Sequence, residues 1–189
     1  MNLVDRAKNL ILTPKTEWAA IDAETHTVQD LYTGYVMILA AIPAVAMFIG
    51  LTLIGMGLRM PITAGVVHLV LSYVLSLASV YVIALVIDAL APNFGGTKSF
   101  MQAFKVAAFA PTASWVAGVL YIIPVIGILA ILGGLYSLYL LYLGLPRLMK
   151  TPEDKALPYT LVVIVVVIVL YVVIGAISAL SMPGPMRGF

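Results

Sequence analysis

The sequence predicts an all-α integral membrane protein, a bundle of five transmembrane helices with a short amphipathic N-terminal region. Three observations support this fold class. Hydrophobic residues make up 63% of the 189 residues, against roughly 45–50% in a typical soluble domain. Charged residues make up only 10%, against roughly 25%. Five apolar stretches are also long enough for a membrane-spanning helix, which needs about 20 such residues.

The five stretches follow one another with short connections. The fifth is rich in valine and isoleucine and would favour a strand in water. A lone strand in lipid leaves its backbone groups unpaired, so we expect a helix there as well. The expected spans cover residues 32–55, 63–90, 103–123, 125–145 and 159–180. They divide the chain into an N-terminal segment (1–31), a five-helix domain (32–181) and a short external tail (182–189).

The boundary between the third and fourth spans is the least marked, because only Pro124 and its neighbours separate them. A single helix of roughly 40 residues would be about 60 Å long, twice the bilayer core of about 30 Å. We therefore expect a tight hairpin at Pro124. A re-entrant pair of helices is the alternative.

Lysine and arginine are unevenly divided between the two sides of the predicted bundle, and short loops rich in these residues stay in the cytoplasm. This bias predicts a cytoplasmic N-terminus and an external C-terminus in the cell's plasma or inner membrane. Only Arg59 and Arg187 fall on the external side. The predicted cytoplasmic side carries Arg6, Lys8, Lys15, Lys98, Lys105, Arg147, Lys150 and Lys155.

The N-terminal segment has helical periodicity before the first span. Leu3, Ala7 and Leu10 recur at helical spacing among polar residues and predict an amphipathic helix. Thr13 and Pro14 then suit the N-cap and first position of a second helix. The two helices either lie on the inner leaflet or pack on the cytoplasmic loops, and the sequence leaves both open.

Polar residues inside the predicted spans are candidates for function. His68, Ser72 and Ser76 lie along one face of the second span. Such a stripe either forms a polar track or lets helices approach closely and hydrogen-bond across the contact. We expect the second, structural role for these side chains.

Three further candidates lie near span ends or at a helix break. Asp88 lies at the inner end of the second span, and Lys105 is assigned to the loop that follows this span. Asp88 is expected to pair with Lys98 or Lys105. The alternative is that Asp88 forms a proton or ion site. Pro111 interrupts the third span and frees a backbone carbonyl. That carbonyl either binds an ion or is satisfied by neighbouring side chains, and we expect the latter.

Composition argues against several function classes. The chain has no cysteine and two histidines, so thiolate chemistry is excluded and a zinc site is not expected. The net charge of +2 is small and no basic cluster accompanies it, which argues against nucleic acid as a partner. We expect no catalytic residues, no metal and no cofactor, and therefore no enzyme.

Motifs spread along the chain resemble the Yip family, the Ypt/Rab-GTPase-interacting membrane proteins, in its prokaryotic branch. Asp30-Leu31-Tyr32 resembles the family's entry motif to the first span. The other matching segments are 94–100 (FGGTKSF), 105–111 (KVAAFAP), 123–127 (IPVIG) and 136–146 (YSLYLLYLGLP). The resemblance implies a five-helix membrane domain with a cytoplasmic N-terminus. Eukaryotic members are associated with small GTPases and vesicle traffic, but Thr33-Gly34 replaces their Gly-Pro and the N-terminal region is short.

These observations predict a non-enzymatic integral membrane protein that organises the membrane or recruits partner proteins. A small transporter or channel for an ion or small solute is the alternative. The expected partners are the lipid bilayer, other membrane proteins or a second copy of the chain. A transporter requires the polar candidates to converge around a hydrated cavity that crosses the bundle, whereas a scaffold requires a packed interior.

Overall fold

The computed structural model describes residues 2–55 and 59–179, and every regular element within those ranges is helical. Five helices are long and apolar enough to cross a membrane, which confirms the predicted fold class. Spans one to five run over Val28–Ile54, Ile62–Phe94, Phe100–Ile122, Gly127–Leu148 and Glu153–Ala179. Two shorter helices precede them, α1 (Leu3–Leu12) and α2 (Pro14–Ala23). The predicted external tail and the last residue of the predicted fifth span lie outside the described residues.

Span one begins at Val28, before the predicted start at residue 32, because a capping box extends the helix. The Asp30 backbone N–H donates to the Thr27 hydroxyl (3.1 Å), and the Thr27 backbone N–H donates to the Asp30 carboxylate (3.2 Å). These bonds satisfy donors that a helix start otherwise leaves free. Leu31 is buried, and the Tyr32 hydroxyl donates to the Leu77 carbonyl of span two (2.9 Å). The Asp30-Leu31-Tyr32 motif therefore caps span one and joins it to span two.

Span three lies at the centre of the bundle, with 67% of its most apolar stretch buried, against 11% for span five. It pairs with span four through a tight turn around Pro124, flanked by the short helical turns Gly118–Ile122 and Gly127–Leu129. Gly133 allows the close approach, because a Cβ there would lie 2.4 Å from the Ala117 Cβ. Both helices of the pair are long enough to cross a membrane, in keeping with the expected hairpin at Pro124.

Pro111 breaks span three into the helices Phe100–Phe109 and Thr112–Ala117. The Thr112 hydroxyl donates to the Phe109 carbonyl (2.6 Å). The Tyr35 hydroxyl lies 2.7 Å from the same threonine oxygen and therefore acts as its donor. Side-chain hydroxyls thus satisfy one backbone carbonyl at the break, that of Phe109, a device that proline-interrupted membrane helices use.

The N-terminal helices pack on spans three and four. Leu10 and Ile21 have no exposed surface, and Trp18 is 1% exposed. The Trp18 indole occupies the space that Gly144 leaves on span four, where a Cβ would lie 2.5 Å from the ring. This packing places the buried faces of both helices against protein, while Val4 and Leu12 of α1 stay exposed, and contact of α1 with the leaflet stays a prediction. It also differs from simple packing on the loops, because the groove lies between the spans themselves.

We call the end of the bundle that carries the loops between spans two and three and between spans four and five the N-terminal end. The opposite end, with the turn at Pro124, is the hairpin end.

Span five starts at Glu153 rather than at the predicted residue 159. Its first turn holds Glu153 and Asp154, which a helix N-terminus favours electrostatically. Span five packs mainly on spans two and four and otherwise faces outward.

Candidate functional site

A buried ion pair joins the two N-terminal helices. The Arg6 guanidinium donates to the Glu17 carboxylate at 2.6 Å, and their side chains are 5% and 7% exposed. Each helix buries three residues at the same spacing, Arg6, Ala7 and Leu10 in α1 and Glu17, Trp18 and Ile21 in α2. The charged residue of each helix therefore lies on its buried face, beside the apolar stripe.

The ion pair extends into the buried charge cluster, which we define as Arg6, Glu17, Glu24, His26 and Lys105. Arg6 also donates to the Glu24 carboxylate, which lies 2.9 Å from the His26 ring nitrogen. Burial alone raises the pKa of Glu24, but hydrogen bonds from Arg6 and His26 and their charges outweigh burial and lower it. A lowered pKa means that Glu24 stabilises the folded state above its unfolded pKa. That contribution is lost as pH falls through the folded pKa.

Lys105 connects the buried charge cluster to span three, and its position corrects the sequence prediction. It was counted with the loop between spans two and three, but it lies within Phe100–Phe109 and is 2% exposed. Its ammonium group donates to the carbonyls of Ile21 (3.0 Å) and Glu24 (2.5 Å). The last carbonyls of a helix have no partner within it, so Lys105 caps the C-terminal end of α2.

The rim of the buried charge cluster holds the end of α2 against the rest of the bundle. The Asp22 carboxylate accepts hydrogen bonds from Lys150, after span four, and from the Gln102 side-chain amide at 3.3 Å. Lys150 is 55% exposed in its side chain, so this outer pair contributes less than the buried one.

Aromatic contacts link the buried charge cluster to the break in span three. The Arg6 guanidinium lies 5.5 Å from the centre of the Phe109 ring, within cation–π range. Phe109 also packs edge-on against Tyr35 (4.7 Å) and Trp18 (6.5 Å between ring centres). The charges of the N-terminal helices are therefore fixed beside Pro111.

A cavity of 660 Å³, the bundle cavity, lies between the spans on the hairpin side of the buried charge cluster. Residues from all five spans line it, and none of its described lining residues is charged. The hydroxyl groups in the wall belong to three serines and two tyrosines. The wall comprises Pro43, Ser76, Val80, Ile83, Ala107, Ala110, Pro111, Ser114, Trp115, Tyr121, Ile131, Gly134, Leu135, Ser137, Leu138, Leu141, Val167, Ile168, Tyr171 and Val172.

The bundle cavity opens sideways between spans four and five. Ile131 and Leu135 of span four line it and are 56% and 58% exposed. Ile168 and Val172 of span five also line it and are 52% and 65% exposed. Residues that face both a cavity and the outside form its mouth, and these four face the membrane side of the bundle.

The sequence candidates converge only in part. Ser76 and Pro111 line the bundle cavity, whereas His68, Ser72, Asp88 and Lys105 do not. His68 is buried at 6% exposure nearer the start of span two. Ser72 donates to the Leu69 carbonyl (3.1 Å), and Ser79 donates to the Ser76 carbonyl (2.7 Å). Ser72 and Ser79 thus donate to carbonyls of their own helix, and the structural role of the stripe stays a prediction.

Asp88 does not form the expected salt bridge. Among the described residues its carboxylate pairs with neither Lys98 nor Lys105, because Lys105 is directed to the end of α2. One carboxylate oxygen of Asp88 is enclosed without a hydrogen-bond partner. The neighbouring Tyr159 hydroxyl donates to the Ile87 carbonyl instead. Asp88 thus lies in the last part of span two, at the N-terminal end of the bundle and away from the bundle cavity.

The positions of the two charges around their helices are the sequence feature that indicates the ion pair. At 100° per residue, Arg6 is displaced by only about 40° from Leu10 around α1 and so belongs to the buried face. Glu17 and Ile21 have the same relation in α2. Two amphipathic helices with opposite charges at matching positions beside their apolar stripes favour mutual docking over separate attachment to a surface.

The family model described as Yip1 domain matches residues 8–175 of this chain. The chain belongs to the Yip1 family. The Yip1 match covers α2, spans one to four and span five up to residue 175. It includes Glu17, Glu24 and Lys105 but not Arg6.

Two curated relatives of this Yip1-family chain are similar over part of their length. Both are named inner membrane protein YohC, one from Escherichia coli strain K12 and one from Escherichia coli O6:H1 strain CFT073. Each is 31% identical over 117 residues, covering 59% of this chain and 60% of the relative. The chain thus matches less than two thirds of the length of these relatives. No solved structure matches the chain.

Proposed function

We propose that this Yip1-family chain is a non-enzymatic inner membrane protein that organises lipids or partner proteins and does not conduct solutes. The YohC relatives are named inner membrane proteins, which supports the proposal that this chain lies in the inner membrane. Its partners are the lipid bilayer and other membrane proteins or a second copy of the chain. With a net charge of +2 and no basic cluster in its sequence, the chain is not proposed to bind nucleic acid.

The observation that carries this proposal is the separation of the bundle cavity from the charged groups. The cavity wall is apolar apart from its hydroxyls and the Trp115 indole N–H. A packed layer lies between the cavity and the loops of the N-terminal end. It includes Ile87, Leu145 and Tyr159 at 0% exposure and Leu148 at 1%. A solute path needs polar groups or water along its whole length, whereas this layer consists of aliphatic side chains and a Tyr159 hydroxyl that is already bonded to the Ile87 carbonyl.

The arrangement of acids and bases supports a role without catalysis. Arg6, Glu17, Glu24 and Lys105 bond to one another or to the end of α2, and none faces the bundle cavity. A general acid or base must reach a substrate proton in a pocket. These four charged side chains instead fix the N-terminal helices against the spans.

The proposal is tested by a flux measurement with the full chain in proteoliposomes. We expect proton and monovalent-ion flux equal to that of protein-free liposomes under an imposed pH gradient or potential. The matched variant is Gly134→Leu, which fills the bundle cavity. Flux above background in the wild-type chain, abolished by Gly134→Leu, would replace the proposal with the transporter alternative, since that alternative uses the same cavity.

We further propose that the N-terminal end is cytoplasmic, with the C-terminus on the external side. The structure's loops at that end carry Lys98 and Lys150, in keeping with the positive-inside bias. The chain has no cysteine, so single cysteines report sidedness. With an impermeant thiol reagent on intact cells, we expect Val125→Cys at the hairpin turn to react and Thr97→Cys to react only after permeabilisation. The reverse pattern would invert the topology.

A further inference from the structure

We infer that the bundle cavity is a binding site for an acyl chain of a bilayer phospholipid, which enters between spans four and five. This inference deepens the proposed membrane-organising function by naming the ligand class. It starts from the position of the mouth. Ile131, Leu135, Ile168 and Val172 line the cavity and form the exposed membrane-facing surface. The medium that meets this opening in a membrane is hydrocarbon.

The bundle cavity is large enough to hold a ligand. Its 660 Å³ falls in the range of about 300–1,000 Å³ that small-molecule sites occupy. Atoms that line a void lose dispersion contacts on that side, and bundles otherwise pack to high density. A flexible hydrocarbon chain restores those contacts without a specific shape.

Two hydroxyls of the wall are engaged by protein, and the wall is otherwise mainly apolar, which disfavours water as the occupant. The Ser137 hydroxyl accepts a hydrogen bond from the Ser114 backbone N–H (2.9 Å). The Tyr171 hydroxyl interacts with the Ser79 side chain. A buried water needs about two to four polar partners. The bundle cavity offers a continuous apolar surface instead, formed by aliphatic side chains, the Pro111 ring and Trp115.

Gly134 provides a direct way to close the site. It lines the bundle cavity, and a Cβ placed on it meets no atom within 4 Å. Gly134→Leu therefore projects a side chain into the cavity and improves helix propensity. Gly175 on span five also has open space at its Cβ but does not line the cavity. Gly175→Leu is thus a matched control with the same chemical change.

The test is photolabelling of the full chain in bilayers that contain phosphatidylcholine with a diazirine near the end of one acyl chain. Peptide mass spectrometry then locates the label. The informative residues line the bundle cavity but are closed to lipid on the outer surface. They are Val80 (2% exposed), Ala110 (6%), Trp115 (4%) and Leu141 (4%). We expect label there in the wild type and in Gly175→Leu, and loss of that label in Gly134→Leu. Label on exposed residues of the spans should persist in all three.

Several results would overturn the inference. Label confined to exposed residues, or unchanged label on the buried wall in Gly134→Leu, would show that no acyl chain occupies this cavity. Cross-links between two copies across the mouth, with no lipid label inside, would assign the cavity to a second chain. Ser76→Leu fills the cavity from span two and serves as an independent second variant. Photolabelling and flux are separate readouts. Loss of the buried label without any flux would overturn the lipid site alone, whereas flux that survives Gly134→Leu would contradict the proposed function alone.

Discussion

Replacing Glu17 by glutamine is expected to free α1 and α2 from the bundle while the five spans stay assembled. The change leaves the Arg6 charge buried with Glu24 as its remaining carboxylate partner. Removing one member of a buried ion pair costs about 3–5 kcal/mol. Because Arg6 keeps its contact with Glu24, we expect a cost near the lower end of that range. A loss of about 3 kcal/mol accelerates opening by roughly 100-fold.

Hydrogen exchange measured by mass spectrometry tests this expectation helix by helix. Amides of α1 and α2 should exchange about 100-fold faster in Glu17→Gln, whereas the central part of span three should exchange as in the wild type. Glu153→Gln removes an exposed carboxylate in the first turn of span five and is the matched control. Unchanged exchange in α1 and α2 of Glu17→Gln would contradict the role assigned to the ion pair.

A double variant separates charge pairing from packing. Arg6→Met with Glu17→Leu replaces the pair with apolar side chains of similar size. Such replacements are often neutral or stabilising, because the desolvation cost of the charges disappears. We therefore expect the double variant to restore slow exchange in α1 and α2. Exchange as fast as in Glu17→Gln would show that docking of the two helices requires the charges themselves, and that apolar side chains of similar size cannot replace them.

The five spans could be predicted because lipid imposes a simple rule on sequence. Every backbone polar group must be satisfied within the membrane, so a long apolar run becomes a helix whatever its intrinsic preference. The valine-rich span five illustrates this rule. The ends were less predictable, because they depend on local polar contacts such as the Thr27–Asp30 capping box and the acidic first turn at Glu153.

The site could be predicted only in part, because it depends on contacts between distant segments. Lys105 looked like a loop cation, but the free carbonyls at the end of α2 draw its ammonium group into the protein. The same contacts remove it as a partner for Asp88. The Trp18–Gly144 packing joins residues far apart in sequence and left no periodic pattern to detect. The serine stripe, in contrast, was visible as a face of span two, and its predicted structural role remains a prediction.

The second large expected effect concerns water in the bundle cavity. Ser76 lines the cavity and belongs to the stripe that a polar track would use. Ser76→Cys changes an oxygen to a sulfur in a chain that has no other cysteine. The thiolate is the nucleophile that attacks a thiol reagent, and it does not form in an apolar, water-free environment. We therefore expect no reaction at this position with a charged reagent presented to both faces of the bilayer.

Thiol labelling of Ser76→Cys in bilayers is the most direct test of the closed bundle. Thr97→Cys, in an exposed loop at the N-terminal end, is the positive control and should react fully. A closed bundle with a hydrocarbon-filled cavity predicts that Ser76→Cys stays unmodified until the protein is denatured. Modification of Ser76→Cys in the intact bilayer at a rate similar to that of Thr97→Cys would contradict the account, because it would place a water-filled path in the centre of the bundle.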